Sequence, residues 1–319
     1  MILITGGLGF IGLNTTRALL DLGEDCVVTQ HRNAHRPEFI QKALGSRVFV
    51  EPVDFTDLAA VRRLGEQHRI TGIVHLLGGL GFGGLPLQQD LRHNTDVLVN
   101  LLQVIEEWQV PRVCLASTIG IYIGAAEVPA SSVGLREEMP LPPTGTFPIE
   151  AWKKVTEILS TLFAARHGFD VVNMRIGAVW GPFGRPDSRF FQLPQMVHAA
   201  VRGQPARFDP PAYTMDGGDC CYAKDVGRAI ALLQTAPKLN HQTYNVSSGF
   251  VTRNCEVADA IRRVVPGADI ELAEGRAPGS QDLWLDTSRL VADTGFRPQY
   301  DLERGIADYV EWLRAGNER

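Results

Sequence analysis

The sequence predicts an α/β protein, a doubly wound parallel sheet with a smaller C-terminal lobe, and three observations predict it. Short apolar runs alternate with amphipathic segments of helical length over the first 175 residues, the pattern of strands covered on both faces by crossover helices. A glycine-rich turn, GGLGFIG, follows the first apolar run directly. Beyond Gly177 the alternation weakens, and Pro and Gly crowd into GPFGRP, FDPPAY and GRAPGS. The arrangement is Rossmann-like.

Taken in order, the apolar runs Ile2–Thr5, Cys26–Thr29, Val48–Val50, Ile73–Leu77, Val113–Ala116 and Val171–Met174 are the expected strands. They are too short for helices and rich in β-branched residues. Leu13–Leu22, Leu58–His68, Thr95–Trp108 and Ala151–His167 carry the helical period between them. Residues 1–177 are therefore read as a dinucleotide-binding domain. Residues 221–249 return to it through Val226–Leu233 and Thr243–Val246. Residues 178–220 and 250–319 are read as mostly a smaller substrate-binding lobe.

Composition narrows the function classes. The 319 residues are 45% hydrophobic and 21% charged, as in an ordinary soluble domain. A net charge of -5 argues against nucleic acid or an anionic membrane as the main partner. The opening MILITGG has no basic leader, and no stretch is long and apolar enough to span a bilayer. The five cysteines show no C-x-x-C spacing, and Cys26 and Cys114 sit in expected strands, so a reducing cytoplasm is the expected location.

In GGLGFIG each glycine has a physical task. Gly6 permits the tight turn, Gly9 lets the backbone approach a pyrophosphate, and Gly12 lets the helix pack closely on the sheet. The helix N-terminus then offers free N–H groups and a positive dipole end to phosphate. The second strand ends VVTQHRN, with Gln30 where NAD sites usually carry an acid, followed by His31 and Arg32. Arg32, with Arg36 as a second candidate, suits a 2′-phosphate and favours NADP. With Gln30 bonding the ribose, NAD is the alternative.

Further motifs run through the chain. VDFTD contains Asp54 and Phe55, HLLGG ends in Leu77, Gly78 and Gly79, and Asn94 lies on the following helix. LASTIGIY holds Ser117 and Thr118, MRIGAVWGP holds Ile176, and YAKDVGRAI, NVSSG and DTSRLVADTGFRPQYDLERGI come later. Together with GGLGFIG these resemble the extended short-chain dehydrogenase/reductases, in the NAD-dependent epimerase/dehydratase group, over essentially the whole length.

The resemblance implies a cofactor site at Gly6, Leu8, Gly9, Phe10, Ile11 and Gly12. Asp54 and Phe55 would meet the adenine, Leu77, Gly78, Gly79 and Ile176 would border the cofactor, and Asn94 would support it. It implies hydride transfer at a hydroxyl or carbonyl carbon. Thr118, with Ser117 beside it, would hold the substrate oxygen, and Lys153 would bind the nicotinamide ribose. A tyrosine four residues before that lysine would carry the proton, its pKa lowered by the ammonium. That position is Ile149. A positioned acid or base is worth roughly 10²–10⁴-fold in rate.

Glu150, Tyr122, Lys153, Thr118 and Tyr222 are the candidates to move that proton, with no single replacement standing out. Adjacent Cys220 and Cys221, expected at a loop–helix junction, lack an obvious base. Dehydratases of the group carry Asp-Glu after the catalytic Thr, whereas Ile119 and Gly120 follow here. Sugar-nucleotide epimerases usually have Asn where this chain has Ala178. The expected substrate is thus small or partly apolar, with a nucleotide sugar less favoured. Its cleft would be lined by Gly78–Pro86 and Ile119–Ile123, with Arg185 and Arg189 as candidate anion contacts. A non-catalytic dinucleotide-binding sensor or partner-binding protein is the competing expectation. The resemblance also implies a homodimer through the helices at Thr95–Trp108 and Ala151–His167.

Overall fold

The computed structural model describes residues 1–30, 36–79, 81, 84–123, 133–143, 145, 147–188 and 191–318. Seven parallel strands form the main sheet: β1 (Ile2–Thr5), β2 (Cys26–Gln30), β3 (Val48–Pro52), β4 (Gly72–His75), β5 (Arg112–Thr118), β6 (Asp170–Ile176) and β10 (Thr243–Val246), in the order β10-β6-β5-β4-β1-β2-β3. The order reverses between β1 and β4, which pair from Ile2 with Gly72 to Thr5 with His75. Ligands of open α/β sheets bind at the carboxyl ends of the strands at such a switch point.

Both faces of this sheet are covered, which is why its strands read as mostly apolar runs. Ile2, Ile4, Cys26, Val28, Val74 and Cys114 face a core shared with Leu13 and Leu19 of α1 (Phe10–Asp21) and Val226 and Ile230 of α7 (Ala223–Thr235). Leu3, Val27, Ile73, Val113 and Leu115 face the other core. That core is completed by α3 (Leu58–Gln67), α4 (Leu87–Glu107) and α5 (Pro148–His167). The short α2 (Glu38–Ala43) leads into β3.

Local chemistry sets the helix ends. Asp57 caps α3 by accepting the N–H of Ala60 at 3.1 Å. Pro148 opens α5, and Gly168 closes it at φ 74° in the left-handed region. By contrast, Gly9 precedes α1 with no side-chain cap and no acid in the first turn.

After β6 the chain forms small pieces. β7 (Ala178–Trp180) pairs with β9 (Cys220–Tyr222), and β8 (Gly217–Gly218) pairs with β11 (Thr252–Arg253). Trp180 and Tyr222 share a third core with α6 (Leu193–Val201), α8 (Asn254–Val264) and α10 (Leu302–Arg314). The helix α9 (Ser288–Thr294) packs Leu290 against the core on the α1 and α7 side.

Three expectations are corrected. The fourth strand stops at His75 rather than Leu77, because the chain leaves the sheet there toward Gly78, at φ +100°. Helix α4 starts at Leu87, ahead of Thr95. Its first turns bury Asp90 and Asn94, polar residues that hide the apolar period. Cys220 and Cys221 lie on strand β9, not on a loop.

Candidate functional site

The glycine loop is built tightly. Gly6 adopts φ +70°. A Cβ on Gly12 would lie 2.2 Å from the Gly6 carbonyl oxygen and 2.7 Å from Gly7 Cα. No side chain fits there, so α1 starts directly under the loop. Thr29 Oγ1 accepts the Gly6 N–H at 3.0 Å, tying the turn to β2. The first turn of α1, without side-chain cap or acid, is left to an anion.

Beside it lies a cavity of about 230 Å³ lined by Gly6, Thr29, Val53, Asp54, Phe55, Leu77, Gly78, Gly79, Leu85, Asp90, His93, Asn94 and Val97. It gathers the expected Gly6, Asp54, Phe55, Leu77, Gly78, Gly79 and Asn94 in one place. Asp54 Oδ1 also accepts the N–H and hydroxyl of Thr56. Asn94 Nδ2 donates to Asp90 Oδ1 at 2.9 Å, and Asp90 Oδ2 accepts the Gly81 N–H at 2.6 Å. Buried Asp90 thereby holds the glycine-rich segment against α4. Thr29, Asp90 and His93 were missed by sequence reasoning: Thr29 stands in VVTQHRN just before the residue read there, Asp90 and His93 lie outside any motif, and only the fold brings the three to the cavity.

The other expected cofactor residues divide. Leu8 is buried in the core on the α1 side, so it has only backbone to offer a ligand. Phe10 and Ile11 are half-buried at the opening of α1. The Phe10 ring fills the space over Gly184, where a Cβ would meet it at 2.9 Å. Ile176 ends β6 with its side chain in the same core as Leu8. Gln30 Oε1 accepts from Arg36 Nη2 at 3.1 Å, so a guanidinium stands at the end of β2. His31 and Arg32 lie outside the described residues, as does Arg189; Arg185 is exposed.

The expected catalytic residues converge at the carboxyl end of β5 and the start of α5. Thr118 is the last residue of β5, and its Oγ1 accepts the Gly120 N–H at 3.1 Å. Ser117 is buried, and its hydroxyl has no hydrogen-bond partner among the described residues. Strand alternation points it to the α4 and α5 side with Val113 and Leu115. A Cβ on Gly78 would lie 3.9 Å from Lys153 Nζ and 3.2 Å from Asn94 Oδ1, so the lysine reaches the border of this cavity.

Burial pushes the Lys153 ammonium down to about 8, partly opposed by the Glu157 carboxylate. Its charge in turn adds to burial in pushing His75 down to about 3. His75 Nδ1 sits 2.9 Å from Thr5 Oγ1, which fixes the neutral ring across the switch point.

Ile149 is half-buried one turn ahead of Lys153 and has nothing to ionise. Tyr122 does not replace it. The phenol donates to Asn245 Oδ1 at 3.0 Å, accepts from Arg175 Nη1 at 2.8 Å, and is pushed up to about 12 by burial. The cleft lining is corrected accordingly: Ile121 and Tyr122 are packed with Leu135 and Leu285, leaving Ile119, Gly120 and the exposed Ile123. Tyr222 bonds Asp308 in the third core. Burial holds Cys220 near 12, which removes a reactive thiolate.

Glu150 is buried, and its Oε2 accepts the Phe147 N–H at 3.3 Å. A Cβ on Gly120 would lie 3.4 Å from Glu150 Cγ and 3.5 Å from Thr118 Oγ1. The carboxylate and the threonine therefore flank the same glycine. Such an arrangement can grip a substrate oxygen, place a cation beside a ribose and offer a carboxylate for a proton.

The sequence model of the NAD dependent epimerase/dehydratase family matches residues 2–247. UDP-glucuronate 4-epimerase of Thermodesulfobacterium geofontis is 23% identical over 334 aligned positions, covering 99% of this chain and 97% of the relative. UDP-glucose 4-epimerase of Lacticaseibacillus casei is 26% identical, covering 94% and 92%. Among solved structures, UDP-glucose 4-epimerase of Thermotoga maritima, with UDP-glucose, superposes with a TM-score of 0.82 at 22% identity over 99% of both chains. The Thermus thermophilus UDP-glucose 4-epimerase complex with NAD gives 0.79 at 24% identity, again over 99% of both.

Proposed function

The chain belongs to the NAD dependent epimerase/dehydratase family, and from that premise we propose that it is an enzyme moving hydride at a hydroxyl or carbonyl carbon of a small substrate. One observation carries the reading: Thr118, buried Lys153 and the glycine cradle converge at the carboxyl ends of the central strands. When bound, the nicotinamide supplies the two-electron hydride chemistry.

The chain's own residues supply the rest. The bare first turn of α1 receives the pyrophosphate, and the cavity at Asp54 and Phe55 receives the adenosine end. Lys153 holds the nicotinamide ribose, and with its pKa near 8 it is mostly cationic at neutral pH. The Thr118 hydroxyl positions the substrate oxygen. Glu150, flanking Thr118 across Gly120, takes or returns the proton that the absent tyrosine would carry.

We assign NADP as the preferred cofactor, supported by the Arg36 guanidinium at the end of β2 and by Gln30 in place of an acid. The relatives are named for nucleotide sugars. We propose a smaller substrate here, because Ile119 and Gly120 follow Thr118 and Ala178 follows β6. Residues 178–220 and 250–319 form the substrate side of the cleft, and the protein works as a cytoplasmic homodimer. The free state of all five cysteines supports that compartment. Among the described residues no helix is long and apolar enough to cross a membrane.

A non-catalytic dinucleotide-binding protein is the second reading, favoured by Ile149. Titration of NADPH against NADH, with Arg36→Ala alongside, tests the cofactor assignment. Tighter NADPH binding, weakened about tenfold in the variant, is expected for loss of a 2′-phosphate contact. Equal binding of both would remove NADP, and binding of neither would leave no basis for a dinucleotide enzyme. Substrate-dependent oxidation of the cofactor, lost in Lys153→Ala, would exclude the non-catalytic reading.

A further inference from the structure

Asp90 stands in the first turn of α4 and is buried, only 4% exposed. A carboxylate costs stability there unless its oxygens are bonded. Amide donors bond both. Oδ2 accepts the Gly81 N–H at 2.6 Å, and Oδ1 accepts from Asn94 Nδ2 at 2.9 Å. Such charge-assisted bonds are stronger than neutral ones, and the positive end of the helix dipole favours the charge.

The first bond fixes main chain. Gly78 and Gly81 adopt φ +100° and +88°, conformations that other residues rarely take. Glycine has little conformational preference of its own, so an outside contact must set this backbone. Gly81 is set against α5 as well as α4: a Cβ on it would lie 3.5 Å from Pro148 Cβ. Gly78 meets α5 about one turn further on, where a Cβ would lie 3.7 Å from Trp152 Nε1 and 3.9 Å from Lys153 Nζ.

The second bond fixes a side chain. Asn94 Nδ2 also donates to the Asp90 main-chain oxygen at 2.8 Å. Both partners only accept, so the amide can stand only one way round, with its nitrogen on Asp90. The Asn94 side-chain oxygen is left toward Gly78, 3.2 Å from where a Cβ would be. It thus stands on the side from which Lys153 approaches. Gly78, Gly79, Asp90 and Asn94 all line the cavity assigned to the dinucleotide. One carboxylate therefore sets both a stretch of that cavity's wall and the polarity of its edge.

We propose that Asp90 is a positioning residue for the dinucleotide. It holds Gly81 to α4 and turns the Asn94 oxygen toward Gly78 and Lys153, so that the cavity wall is formed before the ligand arrives. The proposal rests on reading that cavity as the dinucleotide site, and Asp90 acts there through its two partners.

NADPH and NADH are titrated into the full-length wild type, Asp90→Asn and Asp90→Ala, well below their melting midpoints, while the fluorescence of the reduced nicotinamide is followed. Asp90→Asn is close to isosteric, but its own amide nitrogen must face one of the two donors, so it tests the bonds without opening a void. Both variants should weaken both dinucleotides by a similar factor, at least about tenfold. That common factor separates Asp90 from a residue that reads the 2′-phosphate. Hydrogen exchange in the peptide containing Gly81 should quicken in both variants, while exchange in β1 and β4 stays as in wild type. Unchanged affinity in Asp90→Asn, even with a lower melting midpoint, would make Asp90 a folding residue and overturn the proposal. Unchanged exchange at Gly81, or a loss confined to NADPH, would overturn it too. A wild type that binds neither dinucleotide would overturn the cofactor reading, and this role with it.

Discussion

Lys153 is the residue on which the site chemistry turns. Burial lowers its pKa from 10.5 to about 8, so its cationic fraction falls as pH rises through 8. Dinucleotide affinity is expected to fall over the same interval. Lys153→Arg, charged at every accessible pH, should flatten that fall, and Lys153→Met should bind weakly throughout. A wild-type affinity constant from pH 7 to 9.5 would contradict the assignment. His75 gives a stability counterpart. Its folded pKa, about 3 against 6.5 for the free group, means that the unfolded chain binds a proton between those values that the fold does not. Stability should therefore be lost as pH falls from 6.5 toward 3. Thermal melts of His75→Gln should show a shallower loss than wild type over that window. The missing phenol was legible in the sequence, because Lys153 counts back to Ile149. That Glu150 and Thr118 both stand against Gly120 was not, since a helix start and a separate strand end come together there only in the fold. Ile149→Tyr tests both at once. With a substrate found, Glu150→Gln should reduce turnover by about 10²-fold or more, and adding Ile149→Tyr to it should restore part of the loss. Full activity in Glu150→Gln would move the proton role elsewhere.

At the scale of elements, the strands were legible because burial on both faces keeps most of their positions apolar, with Asn173, Arg175 and Asn245 among the buried exceptions. The start of α4 was not, because its first turns spend buried positions on Asp90 and Asn94. The pairing of α1 with α7 was equally hidden. It depends on Gly227, where a Cβ would sit 2.5 Å from the carbonyl carbon and oxygen of Asn14. That contact is backbone to backbone, so no rotamer change relieves it. Gly227→Ala must push α7 away from α1 and open the core they share with the sheet. A loss of roughly 1–3 kcal/mol is expected, read as a lower urea midpoint with an unchanged slope. A substitution here that stabilised the protein, by the usual preference of helices for Ala over Gly, would mean that the two helices do not pack this closely. The α1 helix also carries the proposed phosphate-binding turn at its start, so the same variant should weaken dinucleotide binding.

Among the described residues, an apolar surface is left uncovered on the helices that frame the site. Val155, Ile158 and Leu162 of α5 are 42%, 68% and 45% exposed, and Leu91 and Val99 of α4 are 45% and 53% exposed. Their spacings place each set on one face of its helix. The inner faces of the same helices close the core around Leu98, Leu101 and Trp152, so the exposed residues are not needed to fold a single chain. A two-fold pairing would lay α4 and α5 against their copies as a four-helix bundle and bury this surface twice over, an isologous interface. Ile158→Glu with Leu162→Glu should therefore convert a dimer to a monomer in sedimentation, with little change in the far-ultraviolet spectrum. The cost lies in desolvating two carboxylates per chain at the centre of the interface. A wild-type protein that sediments as a monomer at tens of micromolar would end the argument. A dimer unaffected by the double variant would place the interface elsewhere. Because α5 also carries Ile149, Glu150 and Lys153, comparing NADPH binding in dimer and monomer would then measure how much the partner steadies the catalytic helix.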